Sequence, residues 1–221
     1  MKPADWLDRW KQNRIGFHEP GVNTYLRQYL PAFNLEPGDT IFLPLCGKAH
    51  DIAWLAQQGF QVVGVELSGI AIEAFFAEQG LHYLQSESGK FLLSKSGNIS
   101  LYQGDYFDFP QKVLTECKLI YDRASLIAFD LGDRGRYCEY LRSITPPQTD
   151  MLLITLDYDQ TQMDGPPFAV SRTEVEQLYR SHYQLEKLVS NDVLDERPRW
   201  RERGLTALTE TVFRLRETKH Q

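Results

Sequence analysis

A chain of 221 residues, 42% of them hydrophobic and with no Pro/Gly/Ser-rich linker or internal repeat, can bury one large core, so a single domain over residues 1–221 is expected. Its formal charge of −6 and scattered Lys and Arg speak against capture of nucleic acid or an anionic membrane, and no stretch nears the roughly 20 apolar residues that span a bilayer. Three cysteines far apart offer neither a disulfide framework nor a metal spacing, and residues 1–6 lack an apolar signal core, so a cytoplasmic protein with a small-molecule partner and no metal is expected.

Residues 4–13 carry Trp6, Leu7 and Trp10 at helical spacing, and a second helix over 23–30 follows Pro20-Gly21 and stops at Pro31. Two readings stand for the paired indoles: core packing, or the aromatic face of a lid (residues 1–31) hinged near Gly16, Phe17 and His18. Residues 41–45 form an apolar run, residues 46–48 a turn, residues 49–58 an amphipathic helix stopped by Gly59, and residues 62–65 a second apolar run ending on Glu66. Continuous apolar runs joined by a short helix predict parallel neighbours covered on both faces. The turn and Glu66 then meet at the carboxyl edge of the sheet, where open α/β folds bind ligands.

An ionised carboxylate accepts only, and the two vicinal hydroxyls of an adenosine ribose are donors, so Glu66 suits that ribose unless it is merely a solvated strand end. Residues 44–47 hold one glycine where a pyrophosphate-binding turn uses three, which points to an adenosine ligand without phosphates, such as S-adenosylmethionine, over a nicotinamide dinucleotide. A helix over 70–79 follows. Short runs at 83–84, 91–93 and 99–102 then decorate the sheet, with a hairpin turn over 94–98. Asp105 falls at the same edge as Glu66; it either closes an Asx turn or meets the exocyclic amine of an adenine whose ring lies on Tyr106.

The run 118–126 reads as a fourth strand that delivers Asp122 and Arg123 to the same edge. Arg123 either pairs with an internal acid or holds a methionine carboxylate bidentately. A helix over 133–144 precedes the fifth strand, 150–156, and a long polar loop over 157–167 is expected to border the acceptor. After a helix ending at Arg180, closing strands over 183–189 and 205–215 are linked by the charged segment 192–203. That segment reads mainly as a solvated loop, with Arg197 reaching a substrate as the alternative.

With Trp6, Trp10, Gly16-Phe17-His18, residues 42–48 and 62–68, Phe75-Phe76, residues 96–102, Asp122-Arg123 and residues 165–168 in hand, the chain resembles the bacterial-type thiopurine S-methyltransferases from about Asp5 to Lys219. The resemblance implies a Rossmann-like class I methyltransferase fold: α/β, a mostly parallel seven-stranded sheet with helices on both faces and an antiparallel last strand. It implies methyl transfer from S-adenosylmethionine to the sulfur of aromatic or heterocyclic thiols, by a monomer. It places Trp10, Leu45, Glu66 and Arg123 on the cofactor, Asp105 and Tyr106 near the adenine, and Phe17 and Arg197 on the substrate side. In bacterial members selenium or tellurium species, linked to tellurite resistance, stand as alternative acceptors. No general base is assigned; Cys46 lies at the cleft with no His or acid placed in sequence to activate it.

Overall fold

Strands β1 (Thr40–Leu43) and β2 (Gln61–Glu66) pair in parallel across helix α3 (His50–Gln57), with Ile41 opposite Val62 and Leu43 opposite Gly64. They sit at the middle of the sheet in a computed structural model that describes residues 2–218; Met1 and residues 219–221, which the single-domain expectation and the far end of the resemblance include, lie outside the described residues. Alternate residues of β1 bury on opposite faces. Phe42 joins one core cluster with Val63 and Val65, while Ile41 and Leu43 join the other with Val62. Two buried faces are the reason these strands read as unbroken apolar runs.

The sheet has nine strands: β3 (Leu84–Ser88), β4 (Phe91–Ser96), β5 (Ile99–Gln103), β2, β1, β6 (Cys117–Arg123), β7 (Asp150–Asp157), β9 (Thr209–Glu217) and β8 (Tyr183–Asp192), in that spatial order. The five from β5 to β7 are parallel, and β9 runs antiparallel between β7 and β8. Seven of these strands, with the last in sequence reversed, match the expected sheet. The other two, β3 and β4, extend its edge as an antiparallel pair on β5.

Helices α2 (Thr24–Tyr29), α3 and α4 (Gly69–Glu78) contribute Leu26, Ile52, Leu55, Ile72, Phe75 and Phe76 to one face. Helices α5 (Leu131–Ile144) and α6 (Arg172–Tyr179) cover the other with Tyr137, Leu141 and Val175. Local capping fits these starts: the side chains of Asn23, Asp130 and Ser171 each accept from backbone N–H groups of the first turn. Helix α1 (Pro3–Lys11) lies outside this three-layer arrangement and crosses the carboxyl edge.

The charged link after β8 is mostly exposed, as expected, but it is anchored and partly helical rather than a free loop. Val193 and Leu194 are buried, the Val193 N–H donates to the Leu208 carbonyl at 2.8 Å, and a short helix α7 (Pro198–Glu202) buries Trp200. Three apolar side chains spaced among seven charged ones sufficed to anchor the segment, whose charges stay outside or pair.

Candidate active site

Strands β1, β2, β6 and β7 deliver residues from their carboxyl ends to one cavity of about 430 Å³, among them Leu43, Glu66, Tyr121 and Leu156, and the loop after β5 adds Gly104 and Asp105. Helix α1 and the segment to Glu19 close one side, and Arg197, Arg199 and Trp200 another. Glu66 is buried, not a solvated strand end. Its Oε2 accepts from the Gly47 N–H at 2.9 Å and its Oε1 from the Ser68 N–H at 2.8 Å. Burial pushes its carboxyl up to about 7 against the pull of these N–H groups. Each oxygen keeps a lone pair, so two further donors are still accommodated.

The turn that meets Glu66 is tightly specified. Leu45 and Gly47 both hold left-handed backbone (φ +46° and +54°), the Cys46 N–H donates to the Val65 carbonyl at 3.0 Å, and the Ser125 hydroxyl ties down the Pro44 carbonyl at 2.7 Å. A methyl group on Gly47 would stand 3.4 Å from the Trp10 ring, so the α1 indole rests directly on this turn. Trp10 is buried and, with Trp6, meets the Phe17 ring edge-on at 5.5 and 5.7 Å. Cys46 is buried and its thiol is pushed well up, by burial first and by the Glu66 carboxylate second, so it is a poor nucleophile.

At the adenine-expected end, Asp105 lines the cavity while its Oδ1 accepts from the Phe107 N–H at 2.9 Å, an Asx turn that opens a short 3-10 helix. Tyr106 also lines it, but its ring is buried among Tyr137, Tyr140 and Phe107, and its hydroxyl faces the Tyr137 carbonyl at 3.4 Å. Across the cavity, Arg123 pairs with Glu19 at 3.1 Å and not with Asp122. Asp122 is buried and turned away, taking the Leu126 N–H at 3.1 Å and the Tyr137 hydroxyl at 2.7 Å; burial raises it to about 6. This pins the turn at Ala124 (φ +69°) that aims Arg123. The Glu19 oxygen also receives Arg197 at 3.0 Å, and Arg197 forks onto both oxygens of buried Glu210 at 3.2 Å.

Glu19, Asp51, Glu210 and Arg199 line this cavity and were not singled out by sequence. Asp51 takes the Asn23 N–H at 2.7 Å and the Tyr121 hydroxyl at 3.2 Å. An unpaired acid on a helix start or strand carries no local signal of a long-range partner. Pro166 and Pro167 also line the cavity, held by the Tyr158 hydroxyl on the Pro167 carbonyl at 2.6 Å, so the long loop does border it. No group of three potential metal ligands gathers among the described residues.

A parallel sheet with its last strand reversed, a one-glycine first turn and a buried acid closing the second strand define a class I S-adenosylmethionine-dependent methyltransferase. Solved structures share the fold: a methyltransferase of that type from Anabaena variabilis (TM-score 0.65, 14% identity, 99% of this chain and 96% of that one) and the Burkholderia thailandensis 1,6-didemethyltoxoflavin-N1-methyltransferase with bound S-adenosylhomocysteine (TM-score 0.62, 16% identity, 98% and 87%). The sequence model of the thiopurine S-methyltransferase family matches residues 1–218. Thiopurine S-methyltransferases of Nitrosospira multiformis and Bordetella petrii are each 45% identical over 215 residues, 97% of this chain and 98% of theirs. The chain belongs to the thiopurine S-methyltransferase family; it is an enzyme, and its cofactor is S-adenosylmethionine.

Proposed function

We propose that the protein methylates the sulfur of aromatic or heterocyclic thiols such as thiopurines. The observation that carries this reading is one cavity that pairs the Glu66 acceptor at one end with aromatic and guanidinium walls at the other. Glu66 would receive both ribose hydroxyls, Leu45 and Trp10 would pack on the cofactor from the turn and from α1, and Asp105 and Tyr106 would border the base. Arg123 would take the methionine carboxylate, exchanging its contact with Glu19. Phe17 and Arg197 lie on the acceptor side.

The cofactor supplies a methyl group already activated on a sulfonium, so the protein's task is positioning and exclusion of water. Holding two reactants in line is worth roughly 7–11 kcal/mol in favourable cases. The arginines favour the ionised thiol, and the α1 aromatic face shields the reacting end from solvent. No residue is needed as general base. We further read residues 1–221 as one domain, acting as a cytoplasmic monomer, with residues 1–31 as its lid; no helix among the described residues is long and apolar enough to cross a membrane.

The test is product formation from methyl-labelled S-adenosylmethionine with thiopurines, selenite and tellurite. Labelled S-methyl thiopurine is the expected product. Label transferred only to selenium or tellurium would replace the thiol reading with metalloid methylation.

A further inference from the structure

Asp51 is a buried carboxylate with no cation on it. It stands in the first turn of α3, is 2% exposed, and lines the cavity together with Tyr121 and Arg123. Both of its contacts are with neutral donors: Oδ1 takes the Asn23 N–H at 2.7 Å and Oδ2 the Tyr121 hydroxyl at 3.2 Å. Each oxygen keeps a lone pair. No Lys, Arg or His nitrogen lies within ion-pair distance of it among the described residues, since Arg123 is drawn to Glu19. Arg123 and His50 act on Asp51 from farther away, and burial, the largest influence, raises its carboxyl in spite of them. A buried carboxylate without a cation is costly, and that cost falls when a ligand brings one.

The methionine end of S-adenosylmethionine carries its α-carboxylate and α-ammonium on one carbon. With the carboxylate on Arg123, the partner of the ammonium has to stand beside that guanidinium, and three carboxylates do: Glu19, Asp51 and Glu210. Glu210 holds the fork of Arg197 on both oxygens, and Glu19 still holds Arg197 once Arg123 has left it. Of the three, Asp51 alone has no cation of its own. It also sits on the helix that leaves the Gly47 turn, so the piece of chain that meets Glu66 carries it as well.

We propose that Asp51 binds the α-ammonium of the cofactor, so that Arg123 and Asp51 together recognise a zwitterion. The proposal deepens the S-adenosylmethionine reading and rests on the placement of Arg123 at the α-carboxylate. Its consequence is selectivity at the amino-acid end: adenosine thioethers that lack the amine leave Asp51 buried and unpaired, and bind more weakly for that reason.

The test is calorimetric titration with S-adenosylhomocysteine, with its deaminated analogue, in which hydrogen replaces the amine, and with its decarboxylated analogue. The wild type should bind S-adenosylhomocysteine at least about tenfold more tightly than the deaminated analogue. Asp51→Asn keeps the side chain's shape and an acceptor for the Asn23 N–H. It should weaken S-adenosylhomocysteine and the decarboxylated analogue by about tenfold and leave the deaminated one within about twofold. A loss shared equally by all three ligands, as a merely structural Asp51 would give, or no loss at all, would overturn the proposal. Because the three are titrated into one preparation, any loss of folded protein cancels in their ratios. The wild-type comparison stands even where the variant does not fold: a wild type that binds the deaminated analogue as tightly as S-adenosylhomocysteine overturns the proposal by itself. Discrimination lost in Glu19→Gln and kept in Asp51→Asn would overturn it in favour of Glu19. The Arg123 placement fails separately, since a wild type sensitive to the amine and indifferent to the carboxylate would remove Arg123 from the cofactor and leave Asp51 on the ammonium.

Discussion

Glu66 combines two demands that oppose each other in the ligand-free protein. Its oxygens are fixed by the Gly47 and Ser68 N–H groups, yet burial lifts its carboxyl from the ordinary 4.5 to about 7. Ribose hydroxyls donate to the ionised form, so cofactor affinity should fall as pH drops below about 7 and level off above it. Glu66→Gln, which cannot ionise, should bind S-adenosylhomocysteine at least about tenfold more weakly at pH 8, from loss of charge-assisted bonds, and show no such pH dependence. Calorimetry between pH 6 and 8.5 checks both; equal pH profiles for the two proteins would remove Glu66 from the cofactor site. For folding the sign is the reverse. A carboxyl whose folded value is raised contributes stability that is fully present below about 4.5 and lost as pH rises through about 7. The wild-type minus Glu66→Gln stability difference of the apo-protein should therefore decline across that window, read from denaturant midpoints.

At the scale of elements, the site depends on two close approaches. Strand β2 runs against the loop after β1 at Gly64, where a side chain would begin 2.7 Å from the Cys46 sulfur and 2.8 Å from Leu101. Neither neighbour has room to retreat, since both are buried. Gly64→Ala should cost roughly 1–3 kcal/mol as overpacking and, by pushing Cys46, should also weaken cofactor binding; a denaturation curve and a titration read the two effects. The second approach is α1 on the Gly47 turn through Trp10. Helix α1 contributes no side chain to either main core cluster, so deleting residues 1–17 should leave the sheet folded by circular dichroism and abolish turnover. A truncated protein that keeps its rate would reduce α1 to packing.

For the whole molecule, the cavity joins parts that otherwise meet sparsely: the N-terminal segment, the sheet edge and the segment after β8, tied by the chain Arg123, Glu19, Arg197, Glu210. A ligand that contacts all three should stabilise the native state by mass action. At 100 times its dissociation constant that is about 2.7 kcal/mol, or roughly 5–11 °C of melting temperature for a chain of this size. S-Adenosylmethionine and S-adenosylhomocysteine should give that shift. NADH and ATP should not, as the single-glycine turn offers no cradle for a pyrophosphate. An NADH shift as large as that of S-adenosylhomocysteine would contradict the cofactor assignment.

What the sequence determined by itself follows from periodicity and from strand ends. Ile41–Leu43 and Val62–Val65 read as doubly buried strands because both faces of the sheet are covered, and the position of Glu66 at the carboxyl edge follows from parallel pairing alone. The edge pair β3–β4 adds strands to a sheet whose expected count was seven, since Leu84–Ser88 is mostly exposed and carries little apolar signal. Only the tertiary structure decided what each charge at that edge faces. Asp122 and Arg123 are neighbours in sequence, but successive strand residues point to opposite faces, so one is buried against Tyr137 and the other reaches Glu19. Glu19 and Arg197 are 178 residues apart, and no local pattern encodes a partner at that distance. That pairing holds Arg197 in the cavity wall, although in sequence it was one link in a charged run.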